Sequence, residues 1–417
     1  MKLRNLFLIA AVVSPLVFFP SCSKDDDDNS GTEKVNNGGE TKTDLSKLDW
    51  KVEWDYIGDE FFPSWTYMQL INKQFADAPE CLSISLPKES AGARIKLTVE
   101  GNEFMNQTVV EETVTEDMIK NEYFSPVLNW KQDALVNAIT PGFFNVNAVL
   151  EIDGTVVQRF NQRVNYHSIN ECVYYVLGTE EGEEMDLSAL FSIYVNEDNP
   201  NIDKILKQCI ALGENRSFIG SQGTKDEILE QMWWVWQYFS MRGTTYSSIL
   251  TTSSNETKSS DGSTIYSQYV RFFDQCYNEK QANCVDGSCL LASIYQKIGL
   301  DAALVLVPGH CFLAVRPQSS DVKDHEDENV IFLETTAMGN TQIGDDKYNP
   351  NKADDNRRLF DFAVKYASFE VEDNLAKYGS EEVKLVYINN ARAAGIKPIQ
   401  RTQEIEVEDL TNLLVVE

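Results

Sequence analysis

Basic side chains are scarce in this chain. Its 36 Lys and Arg stand against 65 Asp and Glu, a formal net charge of −29. A surface of that sign repels phosphate backbones and anionic headgroups, which excludes nucleic acid as a partner and anionic membrane surfaces as a docking site. Histidine is rarer still: His167, His310 and His325 are the only three, so chemistry that needs an imidazole has little to choose from. Cys-x-x-Cys pairs and the Cys/His spacings of zinc sites are absent among the eight cysteines, which disfavours structural zinc. There is no internal repeat, and the apolar run at residues 6–19 is too short for a comfortable bilayer span. What is present is ordinary for soluble domains, with 42% hydrophobic and 24% charged residues. A length of 417 residues exceeds one core and predicts two globular domains with terminal segments.

Lys2 and Arg4 precede the apolar run, which closes on Pro20-Ser21-Cys22. A small residue just before a cysteine at this place resembles the lipobox of bacterial lipoproteins. The resemblance implies that residues 1–21 are a signal peptide, that cleavage falls before Cys22, and that the lipidated Cys22 thiol anchors the chain in a membrane. A plain secretory signal with a chance cysteine is the alternative. The following Ser23-Lys24-Asp25-Asp26-Asp27-Asp28 is similar to the acidic export tag of some Gram-negative outer-membrane lipoproteins, so both surface-exposed and periplasmic locations stay open. A solvated spacer is the plainer reading of the aspartates. Loss of Lys2 and Arg4 with the signal takes the charge from −29 to −31. Residues 22–45 have almost nothing to bury and read as an acidic flexible tether. Seven cysteines remain after Cys22, and an odd number in an oxidising compartment leaves at least one thiol free.

From residue 46 to 168 the texture is that of short strands. Leu82-Ser-Ile-Ser-Leu86, Ala93-Arg-Ile-Lys-Leu-Thr-Val99 and residues 145–151 place apolar side chains two apart, as half-buried strands require. Asp153-Gly154 lies between two such runs and predicts a hairpin. The spacing predicts an antiparallel β-sandwich of immunoglobulin-like size. It carries no cluster of catalytic groups, so a spacer or carrier role is expected, with ligand binding as the alternative.

Residues 169–417 change to helix grammar. Asn199-Pro200 opens a helix through Ile202, Ile205, Leu206 and Cys209 that stops at Gly213. Thr224-Lys-Asp-Glu227 is a capping box for a helix ending at Arg242, with Gly243 beyond it. Trp233 and Trp236 flank its apolar stripe Ile228, Met232, Val235 and Phe239. Tryptophans at that period belong to a core before they form a sugar platform.

The chemistry concentrates in Gln281-Ala-Asn-Cys284-Val-Asp286-Gly-Ser-Cys289-Leu-Leu-Ala-Ser-Ile-Tyr-Gln-Lys-Ile-Gly299. Leu290, Leu291, Ile294 and Ile298 mark one helix face, which puts Cys284 at the helix start, where free N–H groups and the macrodipole favour a thiolate. Asp286, in the same first turn, opposes this, and is expected to bond to backbone amides or a neighbouring loop. A buried strand follows at residues 300–307. Pro308-Gly309-His310 then turns into a second strand, and Val330-Ile-Phe-Leu-Glu334 forms a third. Should the second and third strands be neighbours, Glu334 can reach the far nitrogen of His310 and stabilise its charged form. His167 and His325 are expected to be solvated, and Cys289 and Cys311 to be core.

This stretch resembles the transglutaminase-like superfamily. Cys284-x-Asp286 at a helix start, Pro308-Gly309-His310 opening the next-but-one strand, and Leu333-Glu334-Thr335-Thr336 on the strand after it follow that family's order, although Glu334 stands where many members have aspartate. Residues 191–200, 246–248, Gln268-Tyr-Val-Arg271 and 281–288 are similar to an exported bacterial subgroup in which a β-sandwich precedes the cysteine domain. The resemblance covers roughly residues 186–395. It implies an α+β papain-like domain with a helical lead-in and a C-terminal extension, Cys284 as nucleophile, His310 as base and Glu334 as the third member. The chemistry it implies is acyl transfer on a protein, peptide or cell-wall peptide, with no cofactor and no metal. Hydrolysis, as by a cysteine peptidase or amidase, is preferred to transglutaminase cross-linking because no site that concentrates an acceptor amine is visible. An inactive surface scaffold, with the β-sandwich as its ligand-binding module, is the rival. For the oxyanion, the Cys284 amide and Gln268 are the candidate donors, with Gln281 second. Gly344-Asp-Asp346 and Asp354-Asp355 lack calcium-ligand spacing and read as solvated.

Overall fold

A computed structural model describes residues 44–54, 56, 60–72, 81–179, 184–247, 255–259, 262–317 and 329–415. The residues read as a signal peptide, Cys22, nearly all of those read as a tether, and His325 with its acidic loop lie outside the described residues. The described chain is a mixed α/β protein with several antiparallel sheets. It divides into two compact units, one of residues 1–56, 80–130 and 144–164, the other of residues 57–79, 131–143 and 165–417.

In the first unit, strands β1 (Lys51–Trp54) and β2 (Leu82–Ser85) pair antiparallel, with Val52, Trp54, Leu82 and Ile84 inward. Strand β3 (Arg94–Val99) lies between β4 (Thr108–Thr113) and β5 (Gly142–Ile152), antiparallel to both. The alternation is strict: Ile95, Leu97 and Val99 of β3 and Phe144, Val146, Ala148, Leu150 and Ile152 of β5 are buried. Trp54 and Phe104 both pack on Phe144, ring to ring at 6.0 and 5.3 Å. Strand β6 (Thr155–Tyr166) returns from β5 through Asp153-Gly154, whose φ angles of 50° and 82° are the two positive values that such a two-residue turn demands.

The second unit takes in the end of β6, where Asn165 and Tyr166 pair in parallel with Glu60 and Phe61. Helix α1 (Pro63–Ile71) starts on a proline, which costs no hydrogen bond there, and is buried from Pro63 to Gln69. Strand β7 (Glu171–Leu177) pairs antiparallel with β8 (Thr264–Tyr269). Two of the predicted helices form: α2 (Ile202–Ala211), which has no side-chain cap, and α3 (Lys225–Arg242) with the reciprocal Thr224 and Glu227 box and Gly243 in the left-handed conformation. On α3 Trp236 is fully buried, Trp233 donates to Asn356 at 3.1 Å and Trp234 packs on Phe218, so the tryptophans are structural.

Helices α4 (Phe273–Glu279) and α5 (Cys284–Lys297) lead to a four-stranded antiparallel sheet of β9 (Asp301–Val307), β10 (His310–Arg316), β11 (Ile331–Leu333) and β12 (Lys384–Tyr387), in the order β11-β10-β9-β12. Helix α6 (Ala353–Tyr378) covers one face, where Ala303, Val305, Phe312, Ala314 and Phe332 meet Ala367 and Val371. Helix α5 also packs on β9 and β10, and alternation leaves it Leu304, Leu313 and Val315, all fully buried. A sheet buried on both faces is why these strands read as unbroken apolar runs.

Candidate active site

The site is assembled at the start of α5. Asn283 caps the helix: its side chain accepts from the Asp286 N–H at 2.8 Å, and the Asp286 carboxylate accepts from the Asn283 N–H at 3.0 Å. Cys284 is the first helical residue and partly open to solvent. Cys81, Cys172, Cys209, Cys276, Cys289 and Cys311 are buried and unbridged, so Cys284 is the accessible thiol among the described cysteines. Burial pushes the Cys172, Cys276, Cys289 and Cys311 thiols far up, which makes them inert.

The turn before β10 contains Gly309 at φ 76°, and His310 is the first residue of the strand, opposite Val307. On the other side β11 pairs with β10 in the register Leu313 to Leu333. The chain leaves β11 into Glu334, whose N–H bonds the Ala363 carbonyl of α6 at 3.2 Å. Glu334 is 2% exposed. One carboxylate oxygen meets His310 Nε2 at 2.7 Å, and the other accepts from the Thr336 N–H at 2.9 Å and its hydroxyl at 2.6 Å. The Cys284 thiol lies close enough to this imidazole to raise its proton affinity. The three residues, far apart in the chain, thus meet as thiol, imidazole and carboxylate.

Burial alone disfavours a charged His310, but the neighbouring Cys284 and the bond and charge of Glu334 outweigh it and push the ring up to about 10. Burial likewise works against the Glu334 charge, yet His310 and Thr336 hold this carboxyl below its ordinary value. The arrangement keeps a proton on the ring between a sulfur and a carboxylate, which is the disposition that nucleophilic catalysis by cysteine requires.

Asp286 turns inward. It is fully buried and accepts from the Arg271 N–H at 2.8 Å and from Arg271 Nη1 at 2.7 Å, in addition to the Asn283 amide. Burial raises its carboxyl above the ordinary value, and these donors pull it back. The floor beneath the thiol is equally tied. Ser288 Oγ donates to the Cys284 carbonyl at 2.7 Å and lies 3.2 Å from the Thr335 hydroxyl. Gly287 admits Thr335 so closely that a Cβ would stand 3.3 Å from its oxygen.

Gln268 is buried on β8, with its side-chain nitrogen 3.4 Å from the Tyr269 carbonyl; Gln281 is half-buried in a two-residue strand beside Thr245. In that short parallel pair Tyr246 stands beside Ala282 and is 43% exposed. Burial, followed by the Cys284 and Glu334 charges, raises its phenol. Among the described residues no group of three or more His, Cys, Asp or Glu side chains is arranged to hold a metal ion, and no helix is long and apolar enough to cross a membrane.

No family model, curated protein or solved structure matches the chain.

One expectation fails. His167 is not solvated: its ring is 18% exposed, stacks on Phe62 at 4.0 Å, and bonds Glu171 at 2.9 Å and Glu60 at 3.0 Å. Glu171 lies four residues on, but Glu60 comes from 107 residues earlier, and only the fold supplies it. Other contributors that residue reading missed are Arg271, Ser288, Thr335 and Thr336. The Glu334-Thr-Thr spacing carried a local signal for Thr336; the Arg271 contact had none.

Proposed function

We propose that the protein is a cell-envelope lipoprotein of the transglutaminase-like superfamily, anchored through Cys22, whose papain-like domain at residues 169–417 cleaves amide bonds in a protein, peptide or cell-wall peptide. An immunoglobulin-like sandwich at residues 46–168 would hold that domain away from the outer membrane. One observation carries the catalytic reading: the partly open thiol of Cys284, at a helix start, neighbours an imidazole whose Nε2 is 2.7 Å from buried Glu334.

In this mechanism the ring already holds the proton before substrate arrives, as its upward displacement supports. The Cys284 sulfur attacks the amide carbonyl, and a C–S bond forms. Charge moves to the carbonyl oxygen, within reach of the helix-start amides. Collapse breaks the C–N bond as His310 gives its proton to the departing amine, leaving a thioester. Water, deprotonated by His310, attacks the thioester; the C–S bond breaks, the acid leaves, and the thiolate beside a protonated ring is restored. Glu334 keeps the ring oriented throughout.

The test is alkylation of the full chain by iodoacetamide at pH 7, with the modified residue located by mass spectrometry. Rapid single labelling at Cys284, abolished in Cys284→Ala, is expected. Labelling no faster than that of a free cysteine overturns the catalytic reading and leaves a scaffold.

A further inference from the structure

A carboxylate two residues from a nucleophilic sulfur is a liability. Free to swing, it would repel a thiolate and compete for the helix-start amides that serve the reaction. Asp286 occupies that place, and each of its oxygens is engaged. One accepts from the Arg271 N–H and the other from Arg271 Nη1 and the Asn283 N–H, at 2.8, 2.7 and 3.0 Å. Arg271 is 2% exposed, and its Nε meets Glu279 at 2.8 Å, so the guanidinium is held on both sides.

The backbone carrying Arg271 is fixed as firmly. Val270 exchanges bonds with Asn170, N–H to carbonyl at 2.7 Å and carbonyl to the Asn170 amide at 2.6 Å. The Tyr269 carbonyl accepts from the Asn283 side chain at 3.2 Å. Residues 269–271 therefore form a brace between β8 and the start of α5. Of the four amide donors that a helix start leaves over, Asn283 and Asp286 satisfy their own two reciprocally. The amides of Cys284 and Val285 are the two that this box does not use.

Resting on the reading of Cys284 as nucleophile, we propose that Arg271 is a positioning residue for the reaction. By taking both oxygens of Asp286 it turns that carboxylate into the core, cancels its charge, and leaves the Cys284 and Val285 amides to the sulfur and to the oxyanion.

The experiment is the pH profile of Cys284 alkylation by iodoacetamide in the full chain, for the wild type, Arg271→Met, Arg271→Lys and the double variant Arg271→Met/Asp286→Asn. Circular dichroism checks the fold of each. Arg271→Met exposes the sulfur to an uncancelled carboxylate, so its profile is expected to move up by about one pH unit, with about tenfold slower labelling at pH 7. The double variant removes the charge together with its holder and should bring the midpoint back toward the wild type. A packing role alone would leave the double variant as displaced as the single one, and that result overturns the proposal. So does an Arg271→Met profile that matches the wild type. Where Arg271→Met does not fold, Arg271→Lys replaces it: a smaller upward move is expected from a cation without the planar fork, and an unchanged profile overturns the proposal. Failure of the underlying reading looks different, because the wild type itself then labels no faster than a free cysteine.

Discussion

A glutamate is one methylene longer than an aspartate, and at position 334 that reach has to be controlled. Thr336 does so by taking one oxygen with its amide and its hydroxyl, which leaves the other aimed at His310. The pair is charged between the lowered Glu334 value and the raised His310 value. Glu334 contributes stability above its unfolded value of about 4.5 and loses it as pH falls through the depressed native one. His310 contributes fully below about 6.5 and loses that contribution as pH rises through about 10. Glu334→Gln removes one of the two neighbours, the other being Cys284, that hold the proton on the ring. The His310 titration, followed by NMR, should fall from about 10 toward 6.5. Turnover of any amide or ester substrate should drop by about 10²- to 10⁴-fold with the fold intact. A His310 titration unchanged in Glu334→Gln would remove Glu334 from the site.

At the scale of elements, two helices begin with reciprocal caps of the same geometry but different consequence. Thr224 and Glu227 open α3 on an exposed surface, and Thr224→Ala should cost about 1 kcal/mol in denaturant unfolding without touching Cys284 labelling. Asn283 and Asp286 open α5 in a buried setting. Asn283→Ala should cost at least as much, about 1–2 kcal/mol, and also slow alkylation of Cys284; labelling at the wild-type rate would mean that the cap does not position the sulfur. Residue spacing announces contacts that close within a turn, which is why the α3 box, the Asp153-Gly154 hairpin and the place of Cys284 at a helix start could be read from the chain. Apolar runs and turns marked β9, β10 and β11 as successive strands, but the pairing of β10 with β11 that brings His310 to Glu334 was only a condition in the sequence and is supplied by the fold. Contacts across long separations left no such trace: Arg271 to Asp286 spans 15 residues, and Thr335 to Ser288 spans 47. In each, the partner is one of many polar residues until the strands are placed.

Across the whole molecule, the scarcity of histidine makes each described imidazole a titrating feature with a defined address. His310 is partly open at the candidate site. His167 is enclosed by Glu60, Glu171 and the Phe62 ring, and Ser267 donates to the same Glu171 oxygen at 3.3 Å. Burial disfavours its charge, but the two carboxylates outweigh that and push it up to about 9. Its folded value lies above the unfolded 6.5, so the clamp contributes fully below about pH 6.5 and is lost as pH rises through about 9. The clamp joins Glu60, beside α1, to the start of β7, so its loss should be felt throughout the second unit. His167→Gln leaves a buried and a partly buried carboxylate, Glu171 and Glu60, without their cation and should cost roughly 3 kcal/mol at pH 6. Denaturant unfolding of both proteins at pH 6 and pH 9.5 separates charge from shape. The gap between wild type and variant should narrow markedly at the higher pH, because the wild-type ring has by then lost its proton. A gap of the same size at both values would mean that His167 serves by stacking on Phe62, and that its carboxylate partners contribute nothing to the fold.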